Sequence, residues 1–381
     1  MPANPTHPKN PARLAARRIH MITKDSQSGE TVKASRSWKK PGNVSAARHS
    51  RDVNYDIPDV VSELAHGQAG TISRRQLLTA GLTVQMIDTR VERRRWQMLH
   101  RGVYAVFSGP PSRDTLLWAA VLRAGDGAVL SHQTAAELHG LIDSPSEAIH
   151  VTVPVTRRVT TPGIVTRNSS RIDEATQPGR QPLRTTVEET VLDLTQLART
   201  FDDACGWITR ACGRRLTTEK KLRAAMAARK KMRWRTELDD VLAATGDGIH
   251  SVLEYRYLRD VERAHGLPRS KHQVRVVIDG KVFYRDAYYD EYQVAVELDG
   301  RLAHRDEERW RDSRRDNMAH AVGVQTCRYG WRDVVGHPCE TAQLHAQILK
   351  RHGWLGQPRP CSRDCPVGRE SLKLVTARSY T

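Results

Sequence analysis

The sequence predicts a multidomain α+β protein, and three patterns lead to that class. Three short helices precede a hairpin between residues 60 and 106, helices interleave with short strands over 112–205, and a three-stranded meander runs from Gln273 to Asp299. A length of 381 residues leaves room for two or three domains. The formal charge of +18, from 61 Lys and Arg against 43 Asp and Glu, argues for a polyanionic partner. No apolar run approaches the roughly 18 residues of a membrane helix, and residues 1–20 lack a hydrophobic signal core. A cytoplasmic protein with no membrane partner is expected.

Residues 1–55 hold 11 basic and 3 acidic residues among Pro, Ser, Asn and Gly, the composition of a disordered basic arm. Over 56–110 the pattern becomes helical. Val61, Leu64 and Ala65 share a face, Ser73 with Gln76 forms a capping box, and Thr83 caps a third helix through Met86, Ile87 and Val91. Two short strands around Arg101-Gly102 follow, which makes a winged helix-turn-helix. In such a unit the third helix enters the major groove, so Thr83, Gln85, Asp88, Thr89, Arg90, Arg93 and Arg94 are the candidate readers. Gln suits adenine and Arg suits guanine, while Arg95 and Arg101 suit phosphate. The alternative is a solvated basic face over Arg90–Arg95.

Over 111–205, helices at 115–124, 132–141 and 186–198 alternate with strands at 149–155 and 164–168. Twelve acids against nine bases suggest a packing or partner-binding module, with DNA and a protein as the two partners of the chain. His132 and His139 have no metal-like pattern and are expected to pack or hydrogen-bond. Residues 206–248 form a basic helical connector, in which eleven bases from Arg210 to Arg235 either face nucleic acid or are simply solvated.

The unit at 249–354 reads helix, three strands, helix, strand, helix. Ser251 caps its first helix, and Glu254 can close a capping box onto the Ser251 amide. Alternation in the third strand puts Glu297 and Asp299 on one face, about 7 Å apart. Asp286 in the neighbouring strand can lie across from them, and His304 follows in the next loop. Such a set of hard oxygen donors suits Mg²⁺ or Mn²⁺, which can polarise a phosphodiester and activate water. A solvated sheet face is the alternative. Asp312, Arg315 and Asp316 lie on a charged helix as supporting residues, or as a solvated salt-bridged face. Residues 355–381, rich in Pro, Arg and Ser, are expected to fray. Among six cysteines, Cys361 and Cys365 have a spacing near that of zinc ligands, but no second pair accompanies them and reduced thiols are expected.

Ser251-Val-Leu-Glu254, Gly266-Leu-Pro268 with Gln273, Asp286, Val296-Glu-Leu-Asp-Gly300 with His304, Asp312 before Arg315-Asp316-Asn317, and Gly323 before Arg328 together resemble a family of domains. These are the nuclease-like domains similar to the very-short-patch repair endonuclease, within the restriction-endonuclease-like superfamily. The resemblance implies a central mixed sheet flanked by helices and metal-dependent DNA cleavage. It also implies Glu254, Asp286 and Glu297 as metal ligands, and a catalytic set of Asp286, Glu297, Asp299 and His304. Asp299 stands where that superfamily usually has lysine, so water activation would fall to the metal or to His304.

Gly70-Thr-Ile-Ser-Arg-Arg-Gln-Leu-Leu78, Arg101-Gly-Val-Tyr104, Ser131-His-Gln-Thr-Ala-Ala-Glu-Leu-His-Gly140 and Pro182 through Leu194 resemble the AbiE-type antitoxins and related winged-helix regulators. Two functions follow as expectations. One is a DNA-binding, divalent-metal endonuclease. The other is a non-catalytic regulator or antitoxin, of a type IV toxin-antitoxin-like system, with a degenerate nuclease domain.

Overall fold

The computed structural model describes residues 57–278, 280–299, 314 and 316–368. The expected basic arm at 1–55 lies outside the described residues. The architecture is multidomain and mixed α/β, with three small sheets among the described residues.

The first unit comprises α1 (Asp59–Gly67), β1 (Thr71–Ser73), α2 (Arg74–Thr79), α3 (Val84–Glu92), β2 (Gln97–His100) and β3 (Val103–Ala105). Ser73 makes the predicted capping box, its hydroxyl accepting from the Gln76 amide at 3.2 Å while Gln76 Oε1 accepts from the Ser73 amide at 2.9 Å. Thr83 caps α3 by accepting from the Met86 amide at 3.2 Å. Gly102, with φ of 76°, takes the left-handed turn position that a side chain would strain. Strand β1 is not visible in the sequence pattern, being three residues long, and pairs with β3 to give the order β1-β3-β2. Val61, Ile72, Leu77, Ile87 and Trp96 form the core. Arg90 belongs to that core as well. Its guanidinium lies 5.5 Å from the centre of the buried Trp96 ring and donates to the Met86 carbonyl at 2.9 Å.

The middle unit carries α4 (Arg113–Ala124), β4 (Val129–Leu130), α5 (His132–Leu138), β5 (Ile149–Pro154), β6 (Ile164–Ser169), α6 (Ile172–Ala175) and α7 (Val187–Leu197). Its sheet has the order β4-β5-β6, with β5 and β6 parallel. His132 Nδ1 bonds the Ser131 hydroxyl at 2.9 Å, and His139 Nε2 donates to the Thr185 carbonyl at 2.8 Å. Both histidines therefore hold local structure.

Helices α8 (Phe201–Gly213), α9 (Glu219–Ala227) and α10 (Arg235–Gly246) share a core with α7, Leu141 and Tyr255. The segment expected as a basic connector is thus a packed helical layer. Its bases meet the acids of the middle unit. Arg214 pairs with Asp143 at 2.7 Å, and Arg229, mostly buried, pairs with Glu189 and with Asp193, the latter at 2.7 Å. Arg223 takes Asp239 at 2.6 Å, and the Arg233 guanidinium stacks 3.5 Å from the Trp234 ring centre. Opposite charge excesses that are separate in the sequence offset one another in the fold, so much of this basic density serves packing.

The last unit starts with α11 (Val252–Arg256), which widens into a π-helical stretch, Tyr257–Arg263, and stops at Gly266 with φ of 64°. Then come β7 (Lys271–Ile278), β8 (Lys281–Tyr289), β9 (Val294–Asp299), β10 (Gln325–Gly330) and α12 (Pro338–Arg351). The sheet order is β10-β9-β8-β7, with β10 parallel to β9 and the others antiparallel. Leu253, Tyr257, Tyr289, Val294, Val296, Ala346 and Leu349 fill the core. Of the segment expected to fray, 355–381, only residues 355–368 are among the described residues. Leu355 is 94% exposed, but Cys365 and Val367 are buried in the same core.

Candidate functional site

Two groups of side chains hold the site residues expected from the sequence. The first is the acidic end of the last sheet. Gln273 stands in the left-handed region with φ of 49° and drops out of the β7–β8 register. That irregularity aims its amide between two carboxylates, donating to Glu254 Oε2 and to Asp286 Oδ1, both at 3.3 Å. Glu254 also accepts from the His250 amide at 3.0 Å, one residue before the Ser251 amide that a capping box would use. Ser251 itself caps α11, its hydroxyl accepting from the Glu254 amide at 3.1 Å. Asp286 Oδ2 accepts from the Leu298 amide at 2.8 Å, beyond the last β8–β9 pair.

Burial pushes both carboxyls above their usual range, and the bonds from the His250 amide, Ser251 and Gln273 oppose the shift at Glu254. At Asp286 the Leu298 amide opposes burial, while the charges of Glu254 and Asp299 add to it. The pair is an acid centre that a proton or a cation would relieve.

Glu297 takes a different partner. It is buried rather than solvated, and its Oε1 accepts from Arg285 Nη1 at 2.8 Å, with the Arg285 side chain only 1% exposed. Asp299 is bridged to Asp316 through Arg328, whose Nη1 donates to Asp299 at 3.1 Å and whose Nε donates to Asp316 at 2.8 Å. Among the described residues, Glu254, Asp286 and Glu297 do not bring three ligand atoms within one cation's reach. The structure therefore joins Glu254 to Asp286, and Asp299 to Asp316, while an arginine engages Glu297. His304, Asp312 and Arg315 lie outside the described residues. Arg285 has no local sequence signal. Only its sheet neighbourhood reveals it.

Glu254 and Asp286 fit the way Mg²⁺ or Mn²⁺ is usually held, by one or two carboxylates with substrate phosphate and water completing the shell. The two carboxylates supply oxygens of that kind, the Gln273 N–H group lies between them as a donor to both, and Glu297 is taken by Arg285.

The second group is the outer face of α3 with the residues that flank its two ends. Thr83, Gln85, Asp88, Arg93, Arg94 and Arg95 are exposed and Thr89 is half-buried, while Arg101 is exposed at the β2–β3 turn. Thr83 is used as the cap and Thr89 donates to the Gln85 carbonyl at 2.8 Å. Arg90 is turned inward against Trp96 and leaves the reading set.

The chain is thus a mixed α/β protein with a small helix-and-hairpin unit at one end and an acid-lined sheet at the other. Residues 59–106 match the family described as transcriptional regulator, AbiEi antitoxin. The matched segment is the helix-and-hairpin unit. No curated protein matches the chain. A crystal structure of the RV2827C protein from Mycobacterium tuberculosis is similar at a TM-score of 0.33 and 18% identity, over 51% of this chain and 81% of that one. Among the described residues, no helix is long and apolar enough to cross a membrane.

Proposed function

We propose that the chain is a DNA-binding transcriptional regulator in which residues 59–106 act as a winged helix-turn-helix. The observation that carries this reading is the regulator-family match, which coincides with the segment that exposes Gln85 on α3, Arg93, Arg94 and Arg95 just past its C-terminal end, and Arg101 on the following turn. Helix α3 enters the major groove, Gln85 pairs with an adenine edge, and Arg93 and Arg94 serve guanine. Arg95 and Arg101 hold phosphates and fix the register.

The assignments separate by salt dependence. With the full chain and a bound duplex, Arg101→Ala should weaken binding to all sequences alike and flatten the salt slope by about one. Gln85→Ala should cost about 1–3 kcal/mol on the preferred site and leave binding to random DNA unchanged. Fluorescence anisotropy over a salt series measures both. Wild-type affinity for every duplex in both variants would overturn the reading.

A second reading, favoured by the Glu254–Gln273–Asp286 cluster, adds metal-dependent phosphodiester cleavage by a restriction-endonuclease-like last unit. Glu254 and Asp286 would hold Mg²⁺ or Mn²⁺, which when bound supplies Lewis-acid stabilisation of the phosphate charge and an activated water. Gln273 positions both carboxylates, and Arg285 holds Glu297 away from them. Asp299, paired with Arg328, offers no ammonium to orient water. Incubating the full chain with plasmid and either metal tests the reading: Asp286→Asn should reduce cleavage to background. Equal product from wild type and variant, or none from either, would count against it.

A further inference from the structure

Sharing no residue with the acid cluster is the one group among the described residues whose His, Cys, Asp or Glu atoms converge as metal ligands. It comprises His265, Cys339, Cys361 and Cys365, with four ligand atoms all within 4.8 Å of one another. We propose that these side chains bind one structural zinc ion, which fastens the C-terminal segment onto the last unit.

Three independent features support the assignment. The first is distance. Cys339 Sγ and Cys361 Sγ are 3.6 Å apart, far beyond a disulfide bond, and all six cysteines are free. A zinc tetrahedron with bonds of about 2.3 Å to sulphur has an edge of about 3.8 Å, close to this separation.

The second is an orphaned atom. His265 is fully buried, its Nδ1 lies 3.0 Å from the Val261 carbonyl, and its Nε2 has no hydrogen-bond partner among the described residues. A buried ring nitrogen without a partner is costly. A zinc-binding imidazole has this arrangement, one nitrogen anchored to a backbone carbonyl and the other on the metal.

The third is the surroundings of the sulphurs. Cys339 is the second residue of α12, a rigid element that fixes the position of its side chain. The amides of Cys361 and Val367 hydrogen-bond to the Cys365 sulphur. Cys361 and Cys365 are separated by three residues, a usual spacing for one half of a zinc site. Three soft thiolates and an imidazole select Zn²⁺ over Mg²⁺ or Mn²⁺, and four protein ligands leave no open position for catalysis.

The site also accounts for the order of the tail. The segment from Leu355 to Gly368 buries little apolar surface beyond Cys365 and Val367, and its backbone is tied down by the Arg359 amide, which donates to the His265 carbonyl at 2.8 Å. The metal joins three places remote in sequence: the end of the first helix of the unit, the start of α12, and the tail. The sequence contains only one recognisable half of this site, because His265 and Cys339 come from separate elements.

Elemental analysis of the purified full chain should find one zinc ion per chain. The Cys361→Ser/Cys365→Ser double variant should lose it, and Cys212→Ser, outside the group, should keep it. A wild-type measurement guards against misfolded variants: metal-stripped protein given Co²⁺ should develop a thiolate-to-cobalt charge-transfer band and the intense visible bands of a tetrahedral centre. Removing the metal with a chelator should expose the tail to protease. The proposal is overturned if wild type takes up neither Zn²⁺ nor Co²⁺, if the double variant retains wild-type zinc, or if protein purified under reducing conditions holds a Cys339–Cys361 disulfide.

Discussion

Replacing Arg285 by alanine should destabilise the protein by about 3–5 kcal/mol, measured as a shift in urea midpoint. The guanidinium is sealed inside the last unit and bonds Glu297, whose side chain is only 8% exposed. Removing it leaves the carboxylate in a low-dielectric place without that cation, and the penalty is the desolvation the pair formerly offset. The reverse design distinguishes this from lost packing. An Arg285→Met/Glu297→Leu double variant removes both charges while keeping volume, and should recover most of the loss. If the double variant is as unstable as the single one, the cost comes from packing and not from charge.

Acid should weaken the fold through His345. This residue is fully buried, with Nδ1 3.1 Å from the Tyr329 hydroxyl and its ring against Tyr257 and Tyr289. Burial lowers its pKa to about 3. The folded chain keeps the ring neutral while the unfolded chain protonates it below about 6.5, so its contribution is complete above 6.5 and lost as pH falls towards about 3. The slope is about 1.4 kcal/mol per pH unit, or about 2 kcal/mol between pH 6.5 and 5. His132, also lowered to about 3 by burial, acts in the same direction. His345→Gln should remove the His345 share, so the pH dependence of the variant should be shallower than that of wild type. Identical slopes would show that His345 does not carry it.

What could be read in advance follows the range of the interactions. Ser73, Thr83 and Ser251 were legible as caps because a hydroxyl bonds an amide three residues away. The β7–β8–β9 meander was legible from alternation and its short turns. Strand β1 was not, because three residues carry no period and its partner β3 lies some thirty residues on. The inward turn of Arg90 was hidden for a similar reason, since it depends on where Trp96 packs. At the acid cluster, strand parity put Glu297 and Asp299 on one face with Asp286 across from them. It could not show that the backbone turn at Gln273 joins Glu254 to Asp286, or that Arg285 claims Glu297. The basic stretch over 210–235 could be read either as a nucleic-acid face or as a solvated one, because composition does not show that its arginines meet Asp143, Glu189 and Asp193.

The proposed DNA recognition rests on α3, the residues at its C-terminal end and the β2–β3 turn. Selection of the full chain against a randomised duplex pool tests this most directly. The account predicts one enriched motif for wild type, lost in a Gln85→Ala/Arg93→Ala double variant that still binds random DNA through its remaining bases. Enrichment of the same motif by the double variant, or no enrichment by wild type, would contradict it.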